Sequence, residues 1–159
     1  LRFFSKPQNV SGQPKKRQFL LTLDKKIMDR IEQIKYIANQ LIGQGNLKLV
    51  DSAFSADYVA HAGEKTHNGQ KFIKQFTKQL RTALPDIKIV KIEILSNTDN
   101  VLTWQRTFSG SHMAELRGIP ASNKKIKWYE IVVSRFDNDR IVEEWVASDL
   151  AFQMMLKQK

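Results

Sequence analysis

Cysteine is absent from this 159-residue chain. That excludes disulfides, a thiolate nucleophile and cysteine-ligated zinc or iron–sulfur centres. It leaves the compartment open, because cysteine-free proteins work in reducing and oxidising surroundings alike. Histidine is nearly as scarce: there are three, with no H-x-x-x-H or H-x-H spacing, so no metal site is expected. The seven glycines are scattered and form no phosphate-cradling loop. No serine sits in a G-x-S-x-G elbow; Ser109 and Ser111 flank a single glycine and read as strand-end residues. Long apolar runs are missing too. Phe19-Leu20-Leu21-Thr22-Leu23 is far short of the ~20 residues that span a bilayer, and no small-residue cleavage site follows it. The expectation is a cytoplasmic protein with no membrane partner, with a periplasmic or secreted location left open.

Positive charge is what the chain has in excess, a formal +10. Its distribution matters more than its size. Residues 1–26 hold seven Lys/Arg and one Asp, whereas residues 27–159 hold 19 Lys/Arg against 15 Asp/Glu. More than half of the excess therefore sits in an N-terminal arm. Such an arm reads as a solvated tail or a segment packed on a neighbouring subunit, and less well as a polyanion binder. Nucleic acid is not the expected partner.

Residues 1–23 read as a basic extension and residues 24–159 as one folded domain. Asp24 can N-cap a first helix whose stripe is Ile27, Ile31, Ile34, Ala38 and Leu41; Gly43 and Gly45 end it. Asn46 can cap a short second helix with Leu47, Val50 and Phe54 on one face. The connector from Ser55 to Gly63 places His61 on a loop or short strand. A third helix starts near Gly69, buries Phe72, Phe76, Leu80 and Leu84, and stops at Pro85. The period then changes to two, giving strands from Ile87 to Leu95, Val101 to Gly110, Lys125 to Phe136 and Arg140 to Ser148. Helices followed by sequential strands predict an α+β domain with a mostly antiparallel sheet curling round the helices.

Several fragments, in this order and spacing, carry a resemblance. They are Phe54-Ser55-Ala56-Asp57-Tyr58-Val59-Ala60-His61, His67-Asn68-Gly69, Leu84-Pro85-Asp86, Trp104, and Phe108-Ser109-Gly110-Ser111-His112. Gly118-Ile119-Pro120, Arg135-Phe136 and Ile141-Val142-Glu143-Glu144-Trp145 through Asp149 complete the set. From about Ile27 onward the chain resembles the SnoaL-like polyketide cyclases of the nuclear-transport-factor-2-like (cystatin-like) superfamily. The resemblance implies a cone-shaped, half-open curved sheet packed on three N-terminal helices. It implies an apolar pocket, a homodimer or higher oligomer built on the sheet face, and an intramolecular aldol condensation without metal or cofactor. Its general acid/base maps onto Asp149, and its histidines onto His112 and His61. Two departures fall at the pocket mouth. Pro120-Ala121-Ser122-Asn123 replaces a Pro-Pro-Thr-Gly-like turn, and the loop from His112 to Arg117 carries Met113, Glu115 and Leu116.

Each candidate also has a plainer role. Asp149 could simply N-cap the helical segment from Leu150 to Leu156; in an apolar pocket its pKa would rise, which suits a base for carbon acids. His112 shares parity with Trp104, Arg106, Phe108 and Gly110 and could polarise a carbonyl, or merely end a strand. His61 is a lesser candidate helper. Glu130 and Arg135, on opposite parities of one strand, can face the pocket or the dimer sheet, or form a cross-strand ion pair. Glu143 and Glu144 point to opposite faces, and Glu143 shares parity with Trp145, Ala147 and Asp149. Trp104, Phe108, Trp128 and Trp145 are candidate pocket walls. The expectation is an acid/base enzyme for a small, largely apolar carbonyl compound, with a binding or dimerisation module as the alternative.

Overall fold

The computed structural model describes residues 30–158. The basic arm of residues 1–23, and the Asp24 cap and Ile27 of the expected first helix, lie outside them.

The first helix, α1, covers residues 30–43 and widens into a π-helix over Ala38–Gly43. Ile34, Ile37, Ala38, Leu41 and Ile42 are its buried stripe. The last carbonyls of a helix have no partner within it. Here Arg81 supplies one, donating to the Ile42 and Gly43 oxygens at 2.7 and 2.6 Å. A short 3₁₀ turn, Leu47–Leu49, runs into α2, Val50–Ala53, and Asn46 precedes it without a side-chain cap. Helix α3 spans Gln70–Ala83 and buries Ile73, Thr77, Leu80 and Ala83. Gly69 opens it at φ 76°, a conformation costly for other residues. The Gly69 N–H donates to the Tyr58 carbonyl at 2.6 Å, tying the helix start to the first strand.

Six strands form one sheet: β1 Phe54–Ala62, β2 Lys65–Asn68, β3 Lys88–Thr98, β4 Val101–Ser111, β5 Lys125–Asp137 and β6 Arg140–Ser148. Their order is β2-β1-β6-β5-β4-β3. Every pairing is antiparallel except β1 with β6. The four expected strands are β3 to β6. The expected short second helix is the Leu47–Ala53 stretch, but Phe54 begins a strand instead of lining it. β1 takes up the connector, in which His61 was expected on a loop or short strand, and β2 follows it. Register shifts in β3–β4, in β5–β6 and in β1–β6 mark bulges, which bend and twist a sheet.

The sheet wraps around α1 and α3, and α4, Leu150–Leu156, closes one end with Leu150 and Met154 buried. β5 alternates without a break: Ile126, Trp128, Glu130, Val132, Ser134 and Phe136 point in, while Tyr129 and Ile131 stay exposed. Phe108 stacks on Trp128 with centroids 5.0 Å apart. Each such buried ring contributes roughly 1.5–3 kcal/mol through lost apolar exposure. Gly110 marks a close approach, since a Cβ there would lie 3.1 Å from Leu84 Cδ2 and 3.3 Å from Leu84 Cβ. Asp86 fastens the same corner, accepting from the Ser111 N–H at 2.6 Å and the Ser111 hydroxyl at 2.9 Å.

Candidate active site

Between α1, α3, α4 and the concave face of the sheet lies a cavity of about 280 Å³. That is just under the ~300 Å³ at which small-molecule sites begin. Its wall is mostly aliphatic and aromatic, with Ile37, Leu41, Phe72 and Phe76 on the helix side. Five polar side chains from the strands break it: Tyr58, Arg106, Glu130, Glu144 and Ser148. Thr77 lines it from α3, and its buried hydroxyl has no hydrogen-bond partner among the described residues.

Sheet register brings these polar groups together. Pairing sets Arg106 opposite Glu130, and Glu130 opposite Ser148. The Arg106 Nε and Nη2 both donate to Glu130 Oε2, at 2.8 and 2.7 Å. Ser148 donates to Glu130 Oε1 at 3.1 Å. Arg106 also lies over the Trp104 and Phe108 rings, 5.1 and 5.3 Å from their centroids. Those residues precede and follow it by two on the same strand, so the pleat itself stacks them.

A second network holds Glu144. Tyr58 donates to Glu144 Oε2 at 2.8 Å and Ser134 to Glu144 Oε1 at 2.6 Å. Ser134 in turn accepts from the Trp104 indole N–H at 3.0 Å. Burial pushes the Glu144 carboxyl above the usual carboxylate range, against the opposing pull of Ser134, Arg106 and Tyr58. Burial, then the neighbouring Glu144 charge, pushes the Tyr58 phenol up as well. The result is a protonatable carboxyl with a hydrogen-bonded phenol beside it, inside an apolar chamber that also holds a guanidinium. Among the described residues, no three His, Asp or Glu side chains gather as a metal site would require.

The family model of the SnoaL-like polyketide cyclases matches residues 32–156. The chain belongs to the SnoaL-like polyketide cyclase family. Solved structures share the fold of this SnoaL-like protein. A SnoaL-like polyketide cyclase candidate from Jannaschia sp. CCS1 aligns with TM-score 0.75 at 13% identity, over 84% of this chain and 94% of that one. IdmH, a polyketide cyclase candidate from Streptomyces antibioticus, aligns with TM-score 0.64 at 21% identity, over 80% and 96%. A phenazine biosynthesis-related protein from Pseudomonas aeruginosa aligns with TM-score 0.65 at 15% identity, over 96% and 88%. At such identities the likeness concerns the nuclear-transport-factor-2-like fold alone. No curated protein matches the sequence.

In this SnoaL-like chain the three residues expected to converge do not, and none of them lines the cavity. Asp149 stands at the N-cap position of α4 but makes no side-chain cap. Its Oδ1 accepts from the Tyr129 backbone N–H at 2.9 Å and its Oδ2 from Gln153 at 3.0 Å, on the outer side of β5. His61 lies on the convex face, stacked on Trp145 at 5.0 Å, with its Nε2 2.8 Å from Glu143 Oε1. Arg135 is on that face too, bonded to Glu143 by its Nε at 2.9 Å. Hydrogen bonding to His61 and Arg135 holds the Glu143 carboxyl below its usual range. His112 is fully buried after β4, yet it faces packed side chains and not the cavity, and neither ring nitrogen has a hydrogen-bond partner among the described residues. Burial pulls its pKa down.

Of the expected pocket walls, Trp104 and Glu130 line the cavity. Phe108 and Trp128 stack on each other in the core and do not reach it, and Trp145 is on the wrong face, 41% exposed. One bulge explains the reversal in β6. Phe136 pairs with Ile141 but Arg135 with Glu143, so Val142 is the extra residue. Ile141 and Glu144 thus both point inward, and the parity of Glu143, Trp145 and Asp149 points out. Sequence reading missed Tyr58, Glu144 and Arg106. The adjacent glutamates carried the signal, since one of the two had to be internal.

Proposed function

We propose that this protein is a cofactor-free acid/base catalyst acting on a small, largely apolar carbonyl compound, with Glu144 in the role that the sequence suggested for Asp149. The observation that carries this is the buried Glu144 carboxyl at the wall of the cavity, with its pKa pushed up by burial. A base for carbon acids works best when its pKa approaches the working pH. Ionised Glu144 takes a proton from the carbon next to a carbonyl. The enolate electron pair then attacks a second carbonyl carbon of the same molecule, forming the C–C bond. The resulting alkoxide recovers the proton from Glu144. Arg106 offsets the developing oxyanion charge, and Tyr58 steadies the carboxyl through its hydroxyl. The reaction as written needs neither metal nor cofactor.

The test is deuterium incorporation at the α-carbon of 2-tetralone in D₂O, followed by NMR. The wild-type rate should climb with pH as Glu144 ionises above the usual carboxylate range. Glu144→Gln should lower it by roughly 10²–10⁴, the usual worth of a positioned general base. A wild-type rate no greater than buffer would sink the catalytic reading.

A binding module without chemistry is the second reading. It is favoured by one feature: both oxygens of Glu144 and both of Glu130 are already engaged by internal donors. The homodimer reading finds support on the convex face, where Tyr129, Ile131 and Trp145 are 50%, 38% and 41% exposed. A second copy covering them should appear as a dimer mass in sedimentation that Trp145→Asp converts to monomer.

A further inference from the structure

We propose that Arg117 receives an anionic group, specifically a carboxylate, on the ligand whose apolar body fills the cavity. This rests on the cavity being a ligand site, as proposed above, but not on any chemistry at Glu144.

The first observation is conformational. Leu116 and Ile119 exchange both backbone hydrogen bonds at 3.0 Å, with Arg117 at φ 52° and Gly118 at φ 80° between them. This is a two-residue hairpin turn of the primed type, whose first central position favours Asn, Asp or Gly. Four non-glycine described residues have positive φ: Asp99, Asn123, Asn138 and Arg117. Three are the types that tolerate that region; the arginine is the exception. The turn would form more easily with asparagine, so its own geometry does not call for arginine.

The second observation is placement. Arg117 is exposed, yet it lines the cavity, with its guanidinium 5.0 Å from the Phe76 ring centroid. The aromatic face holds the charge at the mouth. No described carboxylate forms an ion pair with it, Glu115 of the same loop included. The cavity's other guanidinium, Arg106, is already matched by Glu130. A cation that no described carboxylate meets, at the rim of an apolar chamber, is matched by a ligand with an apolar body and one acidic end. Arginine suits a carboxylate because its fork can donate two parallel hydrogen bonds.

The experiment is calorimetric titration of the full chain with 2-naphthoate and with uncharged 2-naphthamide. Wild type should bind the naphthoate about tenfold or more tightly than the naphthamide, as a charge-assisted contact implies, and added salt should narrow the gap. Arg117→Asn, which suits the turn, should erase the preference and leave naphthamide affinity within about twofold. Arg117→Lys should keep part of it. Equal affinities in wild type, or a preference that survives Arg117→Asn, would overturn the proposal and leave the cavity reading standing. Failure of both probes to bind would overturn the two together.

Discussion

Replacing Glu144 by glutamine should change how stability depends on pH, and the sign follows from burial. The carboxyl is charged at ordinary pH in the unfolded chain, with a reference value of 4.5, whereas in the native state burial raises its pKa. A raised native value means the folded protein holds the proton more tightly. That contribution is fully present below the unfolded value and is lost as pH climbs through the native one. Between the two values the folded state binds one more proton, so wild type loses up to about 1.4 kcal/mol per pH unit relative to a variant that cannot ionise. For a chain of this size that is about 3–6 °C of Tm per pH unit. Glutamine keeps the shape and can still meet Tyr58 and Ser134, so any direct hydrogen-bond cost is independent of pH. The assay is thermal unfolding of both proteins from pH 4.5 to 8. The gap should move steadily in favour of Glu144→Gln above pH about 4.5 and level off at the native pKa. A constant gap over the whole range would show that the carboxyl ionises normally, and the reasoning from burial would be wrong.

Other outcomes follow from packing and charge. Gly110→Ala places a methyl 3.1 Å from Leu84 Cδ2, with the Ile87 Cα 3.4 Å away, so unfolding should show a loss of about 1–3 kcal/mol. Gly43→Ala meets nothing within 4 Å and should be neutral or gain up to about 1 kcal/mol. His112 has a depressed native pKa, so its contribution is present above the unfolded value of 6.5 and fades as pH falls through the native one. His112→Leu should therefore flatten the acid limb of the stability profile in urea titrations.

Much of the fold was legible because period-two alternation in β5 and the 3–4 spacing in α1 are local signals. Strand β1 and the edge strand β2 were not, beyond a loop or short strand at His61. The segment from Ser55 to His61 mixes small and polar residues, and it becomes a strand through parallel pairing with β6, more than 80 positions away in register. Tyr58 was lost with it, because a tyrosine in a presumed connector has no face. Of the site, only Trp104 and Glu130 were legible as cavity wall. Counting parity from the inward Ile141 selects Glu143, and the bulge at Val142 turns Glu144 inward instead. Glu143, Trp145 and Asp149 keep one parity, and it faces out. Bulges leave little trace in a single sequence, since the extra residue here is an ordinary valine. Arg117 was visible only as the end of a divergent loop; its meaning needed the φ angle and the Phe76 ring.

The most direct measurement sets Glu144→Gln beside Asp149→Asn in the same deuterium-exchange assay, with wild type as reference. Glu144→Gln should abolish exchange above background while Asp149→Asn, whose carboxylate only braces β5 and α4, stays within about threefold of wild type. The opposite pattern, full exchange in Glu144→Gln and none in folded Asp149→Asn, would contradict the account and return the chemistry to the end of β6.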